Sequence, residues 1–209
     1  PKRLVEAGYD TIAARYAEWQ KEVRGSPRER FLSELLRLVP PQPQILELGV
    51  GAGIRSTRVL AERGRLTGVD ISAEQLRRAQ ERVPSATFLR ADIAEVRFAP
   101  GSFDAVVALY VLTHLPLSDL RPLFARIGEW LRPGGLFLAT LGAGGTQEGV
   151  QADWLGVPMF FSSLDGDETT QLIHDAGLDI LIREIVGQRE DEGQDEVRFL
   201  WVLARRRAG

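Results

Sequence analysis

Three short segments carry residue types and spacings that could do chemistry. The first is Glu47-Leu48-Gly49-Val50-Gly51-Ala52-Gly53, where an apolar run stops at glycines. Glycines at such a strand-to-helix turn let the backbone bend tightly and let a ligand approach main-chain N–H groups. The spacing is G-x-G-x-G, not the G-x-G-x-x-G of pyrophosphate sites. Glu47 beside it would repel a pyrophosphate and suit a cationic ligand. The second is Asp70, which ends the stretch LTGVD about twenty residues past the turn, where a carboxylate can reach a ribose diol. Its other reading is an N-cap for the next helix, a role already filled by Ser72. The third is Ala91-Asp92-Ile93, a carboxylate between apolar side chains, able to accept the exocyclic amine of a purine. Each alone is a weak signal, and the third alone also reads as a surface loop. In order, at the ends of successive strands, they describe the ligand crevice of an open α/β sheet.

His114 is the residue best suited to acid–base work. It follows the apolar run 103–109, and an imidazole with an ordinary pKa of about 6.5 can take a proton near neutrality. A loop histidine can equally shape a pocket without moving protons. His174 falls in a helical stretch and is expected to face solvent; Glu148 and Asp153 are weaker candidates. The absence of cysteine removes disulfides, thiolate metal sites and cysteine nucleophiles. The two histidines lack carboxylate partners at ligand spacing, so no metal site is expected.

The elements that must position these groups follow from periodicity. Residues 4–23 read as a helix with Tyr9, Ile12, Ala13, Tyr16 and Trp19 on one face. Gly25-Ser26-Pro27 breaks it, with Ser26 as expected N-cap and Pro27 at the first position of a helix ending near Leu38. Strands are expected at 44–48, 66–70, 87–90, 103–109 and 136–141, with Pro133-Gly134-Gly135 as a turn. Helices are expected at 55–63, 73–82 and 117–131. The alternation implies right-handed βαβ units and a doubly wound parallel sheet. After a helix at 165–176, runs 178–186 and 197–205 read as an antiparallel pair joined by the polar link 187–196. Segment 142–163 interrupts the alternation as a long loop, made apolar by Trp154, Leu155, Met159, Phe160 and Phe161.

With 209 residues, 44% hydrophobic and 26% charged, the chain suits one globular domain. A formal net charge of −3 gives no basic field for nucleic acid, and Arg205-Arg206-Arg207 reads as a solvated end. No apolar run approaches the roughly 20 residues that span a membrane, and the first residues lack a signal-peptide core. A cytoplasmic protein, monomeric or homodimeric, is expected.

Taken together, ILELGVGAG (45–53), GVDIS (68–72), RADI (90–93), FDAVVALYVLTHLP (103–116) and LRPGGLFLAT (131–140) resemble the ordered motifs of class I S-adenosylmethionine-dependent methyltransferases. The resemblance runs over nearly the whole chain. It implies an α/β, Rossmann-like, seven-stranded, mostly parallel sheet with an antiparallel C-terminal hairpin. It also implies a single domain over 1–209, with a helical cap at 1–43 and a lid-like insertion at 142–163. Residue by residue, it implies that Gly49, Val50 and Gly51 contact the methionyl part through their backbone, with Glu47 near the sulfonium or amino group. Asp70 would take the ribose hydroxyls, with Ile71 and Leu76 beside adenine or ribose. Asp92 would take the adenine amine, with Ile93 packing nearby, while Leu109 and Tyr110 flank the methionyl chain. YDTIAARY (9–16) resembles the cap of small-molecule members, which would bring Tyr9 and Tyr16 to the cofactor; their other reading is helix packing.

The expected function is methyl transfer from S-adenosylmethionine, by in-line displacement, to a small, partly hydrophobic acceptor at O, N or C. His114 would be the base where the acceptor must lose a proton. Three alternatives stand beside it: a protein that holds S-adenosylmethionine without turnover, a protein or nucleic-acid methyltransferase, and a nicotinamide-dependent Rossmann enzyme.

Overall fold

Apolar residues that face both ways along a strand need cover on both sides. The stretch Phe103–Ala108 is the clearest case, with Ala105, Val106, Val107 and Ala108 all fully buried. The computed structural model describes residues 1–23, 25–189 and 196–208. The chain runs α1 (Lys2–Glu22), α2 (Arg28–Leu38), β1 (Gln44–Leu48), α3 (Ser56–Arg63), β2 (Arg65–Asp70), α4 (Ala73–Arg82), β3 (Thr87–Arg90) and β4 (Phe103–Ala108). It continues through α5 (Leu117–Trp130), β5 (Leu131–Gly142), β6 (Gln147–Trp154), β7 (Val157–Ser163), α6 (Gly166–Asp175), β8 (Leu178–Gln188) and β9 (Val197–Arg206). Seven strands form one sheet in the order β3-β2-β1-β4-β5-β9-β8. The first five pair in parallel, and β9 is antiparallel to both β5 and β8. This is the expected fold class.

Alternate residues of each strand feed one of two cores. Leu46, Val106, Phe137 and Val202 face α5 and α6, where Leu123, Phe124, Ile127 and Ile173 cover them. Ile45, Val107, Leu138 and Trp201 face α2 and α3, and Phe31 stacks on Trp201 at 4.9 Å. Burying each such side chain contributes about 1.5–3 kcal/mol relative to leaving it in water. The chain winds outward from β1 through β2 to β3, then returns to β4 on the other side of β1. The crevice beyond the C-terminal ends of β1 and β4 is therefore the switch point where such sheets bind ligands.

Three local expectations change. The N-cap position of α2 is Pro27 and not Ser26; the Ser26 hydroxyl accepts the Arg28 N–H at a long 3.4 Å and also lies 2.7 Å from the Tyr110 hydroxyl. The turn at 133–135 is absorbed into a continuous β5, where Gly134 is left-handed at φ 79° and the pairing with β4 shifts register. Segment 142–163 is not an irregular loop: β6 and β7 form a separate antiparallel hairpin. Its turn carries a legible signal, Asp153 to Gly156, in which the Asp153 carboxylate accepts the Gly156 N–H at 2.9 Å and Gly156 sits at φ 85°. The expected cap of α4 holds, with Ser72 Oγ accepting the Gln75 N–H at 3.1 Å. The middle of link 187–196, at 190–195, lies outside the described residues.

Helix α5 approaches the end of α6 through Gly128, where an added Cβ would run into the Ala176 carbonyl oxygen. Glycine to alanine in a helix interior ordinarily stabilises by up to about 1 kcal/mol. Here Gly128→Ala is expected to lower stability by about 1–3 kcal/mol, because the obstacle is backbone. The urea midpoint checks this, and an increase would show that α5 does not pack in this way.

Candidate functional site

The glycine turn is built from left-handed backbone. Gly49, Gly51 and Gly53 have φ of 72°, 56° and 69°, which other residues adopt only under strain. The N–H groups of Gly49 and Val50 donate to the Val69 carbonyl at 2.8 and 3.3 Å, folding the turn back onto β2. Asp70 completes it: one carboxylate oxygen accepts the Gly51 N–H at 2.8 Å and the other the Ser72 N–H at 3.0 Å. Burial pushes the Asp70 carboxyl up, against these backbone bonds. A Cβ at Gly49 would collide with Val111, whereas one at Gly51 would meet no atom within 4 Å. Gly51 therefore faces open space.

That space is a cleft of about 70 Å³. Gly49, Gly51, Asp70, Ile71, Asp92, Ile93, Leu109 and Tyr110 line it, joined by Tyr9, Tyr16 and His114. Eleven positions singled out in the sequence thus meet in one place. Glu47, Val50 and Leu76 do not line it; they are buried behind the wall. Helix α1 roofs the cleft through polar contacts made by four of its residues. Lys2 Nζ pairs with Asp92 at 2.7 Å and Asp119 at 3.0 Å, and Glu6 pairs with Arg90 at 2.7 Å. Asp10 accepts the Ser72 hydroxyl at 2.5 Å, and Tyr9 meets His114. The two carboxylates raise the Lys2 pKa, although burial acts the other way. Lys2, one of only two lysines in the chain, carries no local signal of this role, because its nearness to Asp92 is purely tertiary.

His114 ends a 3-10 turn, Leu112–His114, and is 7% exposed. Its Nδ1 lies 2.9 Å from the Phe160 carbonyl oxygen and its Nε2 lies 2.8 Å from the Tyr9 hydroxyl. A carbonyl only accepts, so Nδ1 carries the hydrogen and Nε2 accepts from Tyr9. Burial pushes the ring pKa down to about 4, so it is neutral at physiological pH. His174, by contrast, is exposed beside Arg207 and lines neither cavity.

A second cavity of about 850 Å³ lies beside the cleft. The two share Tyr9, Tyr16, Tyr110 and His114 as a common wall. Tyr110 is held in left-handed backbone at φ 63° two residues after β4, a strain that functional sites commonly store. The hairpin supplies the far side. Trp154 packs edge-on against Tyr9, Trp19 and Phe161 at ring separations of 5.6–5.8 Å. Glu148 and Asp153 also line this cavity, but each is tied to a backbone N–H, of Leu117 and Gly156 respectively.

Behind the glycine turn, two opposite charges are incompletely satisfied. Glu47 is 2% exposed; Oε1 accepts the Ser56 hydroxyl at 2.8 Å and Oε2 has no partner. Burial pushes its carboxyl up to about 7, against the Ser56 bond and the nearby Arg28 charge. Arg28 lies over the Tyr110 ring at 4.9 Å, and its Nε is buried without a hydrogen-bond partner. Arg28 also escaped sequence reasoning, because its nearness to Glu47 is purely tertiary. Among the described residues no cluster of three or more His, Asp or Glu could hold a metal, and no helix is long and apolar enough to cross a membrane.

Residues 45–135 match the family model for a methyltransferase domain. A trans-aconitate 2-methyltransferase of Afipia carboxidovorans is 35% identical over 130 residues, 61% of this chain and 48% of that protein. The chain spans about half the length of the curated relatives it matches. Among solved structures, the 1,6-didemethyltoxoflavin-N1-methyltransferase of Burkholderia thailandensis superposes with a TM-score of 0.73 at 18% identity, over 97% of this chain and 87% of that one. The N-methyltransferase NodS of Bradyrhizobium japonicum gives 0.62 at 25% identity, over 86% of each chain. Both were crystallised with S-adenosylhomocysteine. The sheet order, the glycine turn and these likenesses define a class I methyltransferase fold. Residues 45–135 carry a methyltransferase domain of that class, whose members use S-adenosylmethionine. The residues present fit that group: open space at Gly51 admits a ligand to the backbone, and the unpartnered Glu47 oxygen suits a cation.

The buried neutral state of His114 makes a pH prediction. Its folded pKa is below the unfolded value of 6.5, so its contribution to stability is complete above about 6.5 and is lost as pH falls towards 4. Glu47 acts oppositely: its raised pKa favours the folded state below about 4.5 and less so as pH climbs to about 7. His114→Asn isolates the first effect. Its deficit relative to the parent is expected to shrink by up to about 3 kcal/mol between pH 7 and pH 4. Denaturant titrations across that range check this, and a constant deficit would refute it.

Proposed function

We propose that this chain transfers a methyl group from S-adenosylmethionine, seated in the smaller cleft, to a small, partly apolar acceptor in the larger cavity. One observation carries the reading. The two spaces meet at Tyr9, Tyr16, Tyr110 and His114, so a donor on one side and an acceptor on the other face each other across a single wall. Bound there, the cofactor supplies an electrophilic methyl on a sulfonium that departs neutral. Holding the nucleophile in line at about 3 Å then provides much of the rate.

Each residue's part follows from its place. Asp70 takes the ribose hydroxyls and Asp92 the adenine amine, with Ile71, Leu76 and Ile93 around the base. Gly49, Val50 and Gly51 meet the methionyl chain through backbone, beside Leu109 and Tyr110. Glu47 and Arg28, one short of a donor and the other of an acceptor, suit the ammonium and carboxylate of its amino-acid end. His114 serves as base where the acceptor must lose a proton. The cleft of about 70 Å³ is far below the roughly 300–1,000 Å³ of small-molecule sites. Helix α1 therefore opens as a cap, with Lys2 releasing Asp92, and the β6–β7 hairpin acts as a lid over the acceptor.

Calorimetry with S-adenosylhomocysteine tests the donor half. Asp70→Ala is expected to weaken binding roughly ten- to a hundredfold, having lost charge-assisted bonds worth about 1.5–3 kcal/mol each. His114→Ala should weaken it far less, and equal or reversed losses would refute the assignment. Transfer of labelled methyl to a metabolite pool tests the other half. Tight binding with no labelled product would make this a protein that holds the cofactor without turnover.

A further inference from the structure

The hydrogen-bond chain on the shared wall narrows the acceptor. We propose that Tyr9 and His114 form a proton relay and that the acceptor atom is the oxygen of a hydroxyl; the idea rests on the methyltransferase reading above. The acceptor O–H gives its proton to Tyr9 Oη as the Tyr9 proton passes to His114 Nε2.

The direction of the chain is set by its far end. The Phe160 carbonyl can only accept, so it holds the hydrogen on Nδ1, at 2.9 Å. Nε2 is then a lone pair, aimed at the Tyr9 hydroxyl 2.8 Å away. Both members border the two cavities, but Tyr9, on helix α1, is the more exposed, and His114 is buried and packed edge-on against it at 5.3 Å. The base identified in the sequence therefore acts through a residue 105 positions away.

The charge balance selects the acceptor. A neutral amine that takes a methyl keeps the sulfonium's positive charge as its own, and no proton need move. A carboxylate that takes one becomes a neutral ester, again with no proton to remove. A hydroxyl becomes a neutral ether only if its proton leaves. One C–S bond breaks, one C–O bond forms, one proton travels two steps, and the positive charge ends on the His114 imidazolium. The Phe160 carbonyl favours that cation, while burial opposes it. A ring whose pKa is about 4 still exceeds the acidity limit set by a methylated hydroxyl, an oxonium and a strong acid. It could not deprotonate an ordinary alkylammonium. Tyr9, Trp154 and Phe161 pack against the ring, and the charged groups of the cleft it lines are Lys2, Asp70 and Asp92.

Two measurements test the relay. The first needs no acceptor: two-bond ¹H–¹⁵N spectra of the histidine rings. His114 is expected in the Nδ1–H form, with its Nε2 resonance moving in Tyr9→Phe. An Nε2–H form, or no movement, would overturn the relay. The second measures labelled methyl transfer to matched panels of small phenols and anilines. Transfer to phenols is expected, flat from pH 5 to 8 and falling only as pH drops towards about 4. Tyr9→Phe and His114→Asn should each reduce it about 10²–10⁴-fold, a loss far larger than any accompanying change in S-adenosylhomocysteine affinity. Transfer confined to anilines, a limb near pH 6.5, or full activity in Tyr9→Phe would overturn the relay and leave the methyltransferase reading standing. Tight S-adenosylhomocysteine binding with transfer to neither panel would overturn the relay; labelled product from a metabolite pool then separates that failure from failure of the methyltransferase reading.

Discussion

Everything at this site hangs on the carboxylate of Asp70. Its two oxygens hold the Gly51 N–H in the glycine turn and the Ser72 N–H at the start of α4. One side chain at the end of β2 thus ties β1's turn to the next helix, and keeps three left-handed glycines in register with the cleft. The group is 9% exposed and burial opposes its charge, so the backbone bonds are what keep a carboxylate there. The same geometry that makes the turn stable leaves Gly51's open side towards the ligand space.

A second constraint is the placing of buried charge. Glu47, Asp70 and His114 are each driven towards neutrality by desolvation, and each answers with a specific bond, to Ser56, to backbone N–H groups, and to the Phe160 carbonyl. Buried polar groups are tolerated when hydrogen-bonded and costly when not. Two of the buried atoms left without partners, Glu47 Oε2 and Arg28 Nε, carry opposite charges and lie behind the glycine turn. The aromatic wall works differently. Tyr9, Tyr16, Trp19, Trp154 and Phe161 come from α1 and the hairpin, and their contacts fasten those two elements to each other over the larger cavity.

Much of this was legible from local rules. Strand 103–108 had no polar face to turn outward, Ser72 stood at cap position, and acidic residues closed successive strands. The hairpin within 142–163 has little local signature, because β6 is exposed along nearly its whole length and offers no apolar alternation. By position the Ser26 hydroxyl suits a cap, and only the fold brings Tyr110 within 2.7 Å of it.

The sequence by itself determined the sheet, the glycine turn and the acidic strand ends, because each depends on residues near one another along the chain. Backbone sterics, capping and two-residue alternation act over a few positions, so residue order reveals them. The tertiary structure alone decided what faces those groups. Lys2 on Asp92, Arg28 beside Glu47 and Tyr9 on His114 each join distant elements whose approach depends on the whole chain path. That path made His114 a buried neutral acceptor behind Tyr9 rather than an exposed histidine, since no local pattern encodes which side chains will exclude water from it.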